Sequence, residues 1–375
     1  MFRVLALPVP RTRSSLRSRD GRCRFLWARD GRHPARRILS PPDGLGRRRR
    51  PGAGRGLLGH LPRRHRAELL PLFFRRTPED SPRPKRGLPG GPERDRRDDP
   101  ALSEQARFGT QGWVYPSWRG VFYPAGLDPK RELSHYATKF DAVEVDSSFY
   151  AIPPRRNLER WREVTPPGFV LALKFPQSIT HEKGLAGAEA ETEAFVERAR
   201  LLGDRLGPLL LQFRPGFKAE KADDLARFLE RLPRDLAVAA EFRHRSWYRE
   251  ETYSLLRERG VALTLTDHAS APPVDVATAP FVYVRLLGSH DAPWEDFSEV
   301  RVDRGDDLRG WAERLRTQLA AGRKLFVFAN NHYQGHSPAT ARALRGLLGI
   351  AEPNLPFVEP RREEGGHGPS LFGEA

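Results

Sequence analysis

The chain has 375 residues, a formal net charge of +16 and a single cysteine, Cys23. That length holds one large domain or two ordinary ones; one cysteine excludes an intrachain disulfide and a cysteine-built metal centre, and no run approaches the about 18 apolar residues of a membrane-spanning helix. The charge excludes less than it suggests, because residues 1–100 carry 26 Arg and one Lys against ten acidic residues, net +17, while residues 101–375 carry 37 basic and 38 acidic residues, net −1. A broad nucleic-acid face on the main domain is therefore not implied by the charge.

Residues 1–105 read as a basic Arg/Pro/Gly-rich leader, with Arg47 to Arg50 uninterrupted and fourteen prolines in the first hundred positions. Such a composition buries too little apolar surface to offset its ordering entropy. Three readings stay open: disorder without a dedicated role, an RNA- or DNA-binding arm, or translated sequence upstream of the true gene start. The opening MFRVLALPVPRTR is too short and too Pro-broken for a signal peptide. With one cysteine and no membrane span, a cytoplasmic location is the expectation.

From residue 106 to 352 the texture changes. Apolar runs recur at 107–113, 142–150, 170–176, 208–213, 237–243, 261–267, 281–288 and 325–331, giving eight strand candidates. Helical patterns fall between most of them, at 131–140, 157–164, 188–202, 219–231, 249–259, 306–321 and 338–348, as in the spacing of Phe195, Ala199 and Leu202. Alternating strand and helix predicts a parallel sheet, and eight units predict an α/β TIM-barrel-like (β/α)8 domain rather than an open doubly wound sheet. The connection at 269–280 is too Pro-rich for a full helix, 289–305 is long enough for a lid, and 353–375 reads as a flexible tail.

Successive strand residues face opposite sides, so parity sorts the polar groups. Glu144 and Asp146 lie opposite Val143 and Val145; Lys174 lies with Ala172; Gln212 with Leu210; Glu241 and Arg243 with Ala239; Arg285 with Tyr283. Polar groups late in several strands converge at one C-terminal mouth, where they must pair or meet a ligand. Strand six runs into Asp267 and His268, and strand eight into Asn330, Asn331 and His332.

Several motifs in order, among them Gly109-Thr-Gln-Gly-Trp-Val-Tyr, Val143-Glu-Val-Asp-Ser-Ser-Phe-Tyr150, Leu173-Lys-Phe-Pro176, Glu241-Phe-Arg-His with Trp247, and Phe328-Ala-Asn-Asn-His, resemble the YecE-like family, domain of unknown function 72. The resemblance spans about residues 107–350 and implies a TIM-barrel-like fold without bringing a reaction. It also implies Asn as the common residue where this chain has Asp146.

The expected function is an enzyme acting on a small anionic substrate, phosphorylated or sugar-like. Glu241 is the expected acid/base, with Glu144, Lys174 and Asp267 as further catalytic candidates. Arg243, His244, Arg285, Gln212, Asp146, Asn330, Asn331, His332, Trp113 and Trp247 are the substrate-binding candidates, the arginines for their bidentate fork. Glu144, Glu241, His244, Asp267, His268 and His332 supply divalent-ion ligand types, but no HxH or HExxH spacing organises them, so a metal is not favoured and the cofactor is left open. Nucleic-acid binding by mouth and leader, a non-catalytic metabolite sensor, and a structural ion-pair plug are the alternatives. The oligomeric state is not addressed by the sequence.

Overall fold

The computed structural model describes residues 104–289 and 294–361. The readings of the leader up to residue 103, and of the tail beyond Arg361, lie outside the described residues, as does part of the expected lid.

All eight expected runs overlap a strand: β1 (Ala106–Thr110), β2 (Ala142–Val145), β3 (Val170–Leu173), β4 (Leu209–Gln212), β5 (Val238–Glu241), β6 (Val261–Thr266), β7 (Phe281–Leu286) and β8 (Lys324–Ala329). Every pairing is parallel. Six strands, in the order β1-β8-β7-β6-β5-β4, form a sheet curved as a half-barrel, and β2 and β3 pair in a second sheet. Isolated parallel bridges, Gln111 to Glu144 and Lys174 to Leu210, run between the two sheets. Gly109 lies where β1 meets β2; a Cβ there would stand 1.9 Å from the Ala142 carbonyl oxygen, so only glycine fits.

At the end of β3 a side chain takes over the next hydrogen bond. The β2–β3 ladder ends at Val145 opposite Leu173. The next amide, Lys174 N, donates 2.9 Å to Ser148 Oγ, and the chain leaves β2 as a 3-10 turn, Asp146–Phe149.

Seven helices follow the expected patterns: α1 (Glu132–Ala137), α2 (Arg155–Val164), α3 (Glu189–Ala199), α4 (Ala222–Arg231), α5 (Glu250–Arg259), α6 (Gly305–Ala320) and α7 (Ser337–Leu347). In α4 the buried Leu225, Phe228 and Leu229 make the i, i+3, i+4 stripe that packs inward, and Asp223 and Asp224 sit in the first turn with Arg231 in the last, matching the helix dipole. α5 stops at Gly260, whose left-handed φ of 66° caps it. Between β6 and β7 there is no helix; Thr278 instead accepts from Leu263 N and donates to the Val261 carbonyl.

Alternation divides the core in two. One parity of the strands, including Val143, Leu171, Leu211, Ala240, Leu265 and Val284, packs against the helices. The other, Ala142, Ala172, Leu210, Ala239, Ala262, Phe281, Tyr283 and Phe328, forms a separate cluster drawn from both sheets with no helix residue. Beyond Ile350 the chain is irregular yet held: Leu355 packs on the core, Arg131 pairs with Glu359 at 2.8 Å, and its guanidinium lies 5.1 Å from the Phe357 ring centroid. Among the described residues no helix is long and apolar enough to cross a membrane.

Candidate active site

The parity that builds the inner cluster continues toward the C-terminal strand ends as Glu144, Lys174, Gln212, Glu241 and Arg285, all buried. Arg285 on β7 is the hub. Its Nε donates to both Glu144 oxygens at 3.1 and 3.0 Å, its Nη2 to Glu144 Oε1 at 2.7 Å, and its Nη1 to Glu241 Oε2 at 2.7 Å. Tyr283, two residues earlier on the same face, donates its hydroxyl to Glu144 Oε2 at 2.7 Å. Arg243, just beyond β5, pairs through Nε with the other oxygen of Glu241. Its terminal nitrogens have no partner among the described residues.

The two carboxyls are electrostatically unlike. Burial drives the Glu144 pKa up, and Arg285 only partly offsets it. Burial acts on Glu241 in the same direction, but Arg243, Arg285 and Lys174 outweigh it and bring the pKa down to about 2. Burial likewise raises the Tyr283 phenol, and the negative charge of Glu144 adds to the effect.

Lys174 differs from both arginines. It is 8% exposed and makes no ion pair among the described residues; its Nζ lies 4.1 Å from the centroid of the Phe149 ring. Burial lowers its pKa, with Asp146 the strongest opposing charge. Ser148 places that ring: its hydroxyl bonds to Val145 O at 2.7 Å and to Lys174 O at 2.9 Å, tying the turn after β2 to the end of β3. Asp146 opens the same turn, 35% exposed, with Oδ1 3.9 Å from Arg285 Nη2. His181 lies edge-on to Phe149 at 5.0 Å, carried by a π-helical turn, Ser178–Glu182. Gln111, at the end of β1, accepts from Asn330 Nδ2 at 2.8 Å and leaves its own buried amide nitrogen without a partner.

The family model described as "Protein of unknown function DUF72" matches residues 107–364. The chain belongs to the DUF72 family. This DUF72 chain is 28% identical over 272 residues to the UPF0759 protein YunF of Bacillus subtilis, covering 65% of this chain and 94% of YunF. It is 30% identical over 209 residues to the UPF0759 protein YecE of Escherichia coli, covering 49% of this chain and 74% of YecE. Solved structures of DUF72 proteins resemble it: one from Enterococcus faecalis with a TM-score of 0.57 and 20% identity, covering 69% of this chain and 100% of that one. One from Thermotoga maritima has a TM-score of 0.54 and 28% identity, covering 64% and 97% respectively.

Several residues expected at the site of this DUF72 chain make scaffold contacts. Trp247 is fully buried in the helix-facing core, donating to Phe217 O at 2.7 Å and stacked on Phe242 and Phe217 with centroids at 4.5 and 5.2 Å. It lines no mouth. Asp267 accepts the amides of Leu287 and Gly288 at 2.6 and 2.9 Å, clamping the exit of β7, and burial raises its pKa. His244 accepts from Ser246 N at 3.2 Å and caps the turn Arg245–Trp247. Asn330 accepts from His332 N, and Asn331 accepts from Ser337 N and Oγ, so both organise the turn Asn331–Gln334. His332 lies edge-on to Phe297 at 5.1 Å, and Trp113, half-buried, edge-on to Trp161 at 5.6 Å. Gln212 shares the inner parity but donates to the neighbouring Phe213 carbonyl at 2.7 Å.

Tyr283, Phe149, Ser148, His181 and Gln111 are neighbours that were not among the expected site residues, although Gln111, Ser148 and Phe149 lie within the family motifs. Tyr283 was accessible to the alternation with Arg285; Phe149 and His181 were not, because 3-10 and π turns have no strand parity. Among the described residues no three of His, Cys, Asp and Glu converge as metal ligands. Two concavities, of about 250 and 570 Å³, lie away from this cluster, the first against α3 and α4, the second against α2 and the turn Arg200–Arg205.

Proposed function

We propose that the strands close into a (β/α)8 barrel through the two isolated bridges, and that the chain is an enzyme acting on a small anionic substrate at the C-terminal mouth. The observation that carries this is Lys174, a buried cation that makes no direct ion pair among the described residues, beside arginines that do. Burial opposes its charge more than Asp146, Glu144 and Glu241 support it, and an incoming phosphate or carboxylate would add a direct partner. Lys174 and the unbonded end of Arg243 receive the anion. Arg285 is spent on Glu144 and Glu241 and holds the cluster in place rather than binding substrate.

The acid/base role moves accordingly. Glu241, ionised down to about pH 2, is a fixed counter-ion that aims Arg243 and Arg285. Glu144, raised by burial, is the carboxyl better suited to exchanging a proton, with the Tyr283 hydroxyl steering it.

Thermal unfolding with phosphate, glycolate and phosphoglycolate tests the reading. Anion binding to the folded state raises Tm by mass action; the rise is expected in the wild type and lost in Lys174→Met. No anion-dependent shift in the wild type would overturn it.

A further inference from the structure

We propose that Lys174 is an amine nucleophile that forms an imine with a carbonyl compound bearing an anionic group, such as a small 2-oxo or aldehyde acid. The inference rests on the proposed anion site and names the substrate class it takes.

An imine-forming lysine needs an amine held away from competing carboxylates, in a dry setting that nevertheless admits the carbonyl, with an anchor for the rest of the substrate. Each condition has a counterpart. Among the described residues Lys174 makes no direct ion pair, whereas Arg243 and Arg285 each make one; Asp146, Glu144 and Glu241 act on the amine only through space. The amine stands on the Phe149 ring, an apolar floor, fixed by the two Ser148 bonds to Val145 and Lys174 carbonyls. It is desolvated but not sealed: Lys174 keeps 8% exposure and the Asp146 side chain 35%. Burial lowers its affinity for a proton, which increases the share of neutral amine. Arg243, beyond β5 and one strand removed from the end of β3, offers the terminal nitrogens of its guanidinium to hold a carboxylate or phosphate.

The segment after β3 adds an independent sign. It contains the π turn Ser178–Glu182 and then Leu185, a buried residue at a φ of 77°, the one non-glycine with positive φ among the described residues. π turns and left-handed non-glycine residues gather around functional sites, where surrounding packing holds them. Here the turn brings His181 against the face-sharing Phe149.

The step is balanced without an oxidant or metal. The Nζ lone pair adds to the carbonyl carbon, a proton passes from nitrogen to oxygen to give a carbinolamine, and loss of that oxygen as water leaves the C=N bond.

The test uses the full chain with glyoxylate and glycolate, which carry the same carboxylate but differ as aldehyde and alcohol. Cyanoborohydride reduces an imine to a stable secondary amine, located by peptide mass spectrometry. Exposed Lys130, Lys139, Lys183, Lys218 and Lys324 are internal controls. The expected result is a glyoxylate adduct concentrated at Lys174, abolished by unfolding the protein first and suppressed by excess glycolate. In Lys174→Arg, which keeps the positive charge but has no primary amine, the adduct disappears. Labelling at Lys174 no greater than at the exposed lysines overturns the imine; if glycolate still stabilises the wild type, the anion site itself stands. An adduct at Lys174 without any glycolate effect supports the imine and removes the anion anchor.

Discussion

Asp141 and Glu144 stand at opposite ends of β2, and each is buried against an arginine. At the N-terminal end, Asp141 accepts Phe108 N and Arg345 Nη2, both at 2.6 Å, while Arg345 also donates to Ala351 O and lies 4.9 Å from the Phe108 ring centroid. One acid meets one base, and together they lock β1, β2 and the segment after α7. At the C-terminal end, two carboxylates, two arginines, a lysine and the partly exposed Asp146 share the space, with Lys174 unpaired and the Gln111 amide nitrogen unbonded. The clamp is one direct ion pair, whereas the cluster balances three carboxylates against three cations and leaves one of them, Lys174, on a phenyl ring rather than in a direct ion pair. That difference separates a candidate ligand site from a clamp.

The contrast can be broken or sharpened by substitution. The largest effect is expected for Arg285→Met, which strands two buried carboxylates; losing one partner of a buried pair costs about 3–5 kcal/mol, read as a lower urea midpoint. Arg345→Met should cost less, because Asp141 keeps its bond from Phe108 N. A larger loss for Arg345→Met would erase the distinction.

Glu241→Gln sharpens the pH dependence. A carboxyl brought from 4.5 to about 2 contributes stability that is present above the unfolded pKa and lost as pH falls toward 2, about 3 kcal/mol at most. Urea melts between pH 6 and pH 2 should lose that slope in the variant; an unchanged slope would show Glu241 to be unpaired in solution. Tyr283→Phe removes a hydrogen bond to a charged group and should cost about 1.5–3 kcal/mol.

Lys174→Met points the other way. A folded-state pKa below the ordinary value means the protonated lysine opposes folding, so the variant should melt no lower than wild type at neutral pH. A clear loss of stability would mean that Lys174 is structurally paired, as Arg345 is. Asp146→Asn should change stability least, because its pair with Arg285 is long at 3.9 Å and its own side chain is partly exposed, while tightening anion binding in calorimetric titration because a like charge is removed.

How much of this was legible beforehand depended on backbone regularity. Alternation placed Glu144, Lys174, Glu241 and Arg285 on one face because residues two apart in a strand share a side whatever the strand pairs with. It did not reach Trp247, Asp267, His244, Asn330 and Asn331, which follow strand ends in turns. There the side-chain direction is set by local amide groups needing acceptors, and these residues supply them or fill the helix layer. Asp146 shows the boundary: its parity matched Glu144, yet Ser148 took the next amide of β3 and turned the chain out of β2.

The order of elements, the parallel sheet and the inward-facing polar residues were thus determined by the sequence alone, since 3.6- and two-residue periods are local properties. Which charge met which was decided only by the tertiary structure. Glu144 and Arg285 are 141 positions apart and Glu241 and Arg285 44 apart. Whether Arg285 would be shared between two carboxylates and Lys174 left on a phenyl ring depends on the distances between strand ends, which no local pattern encodes.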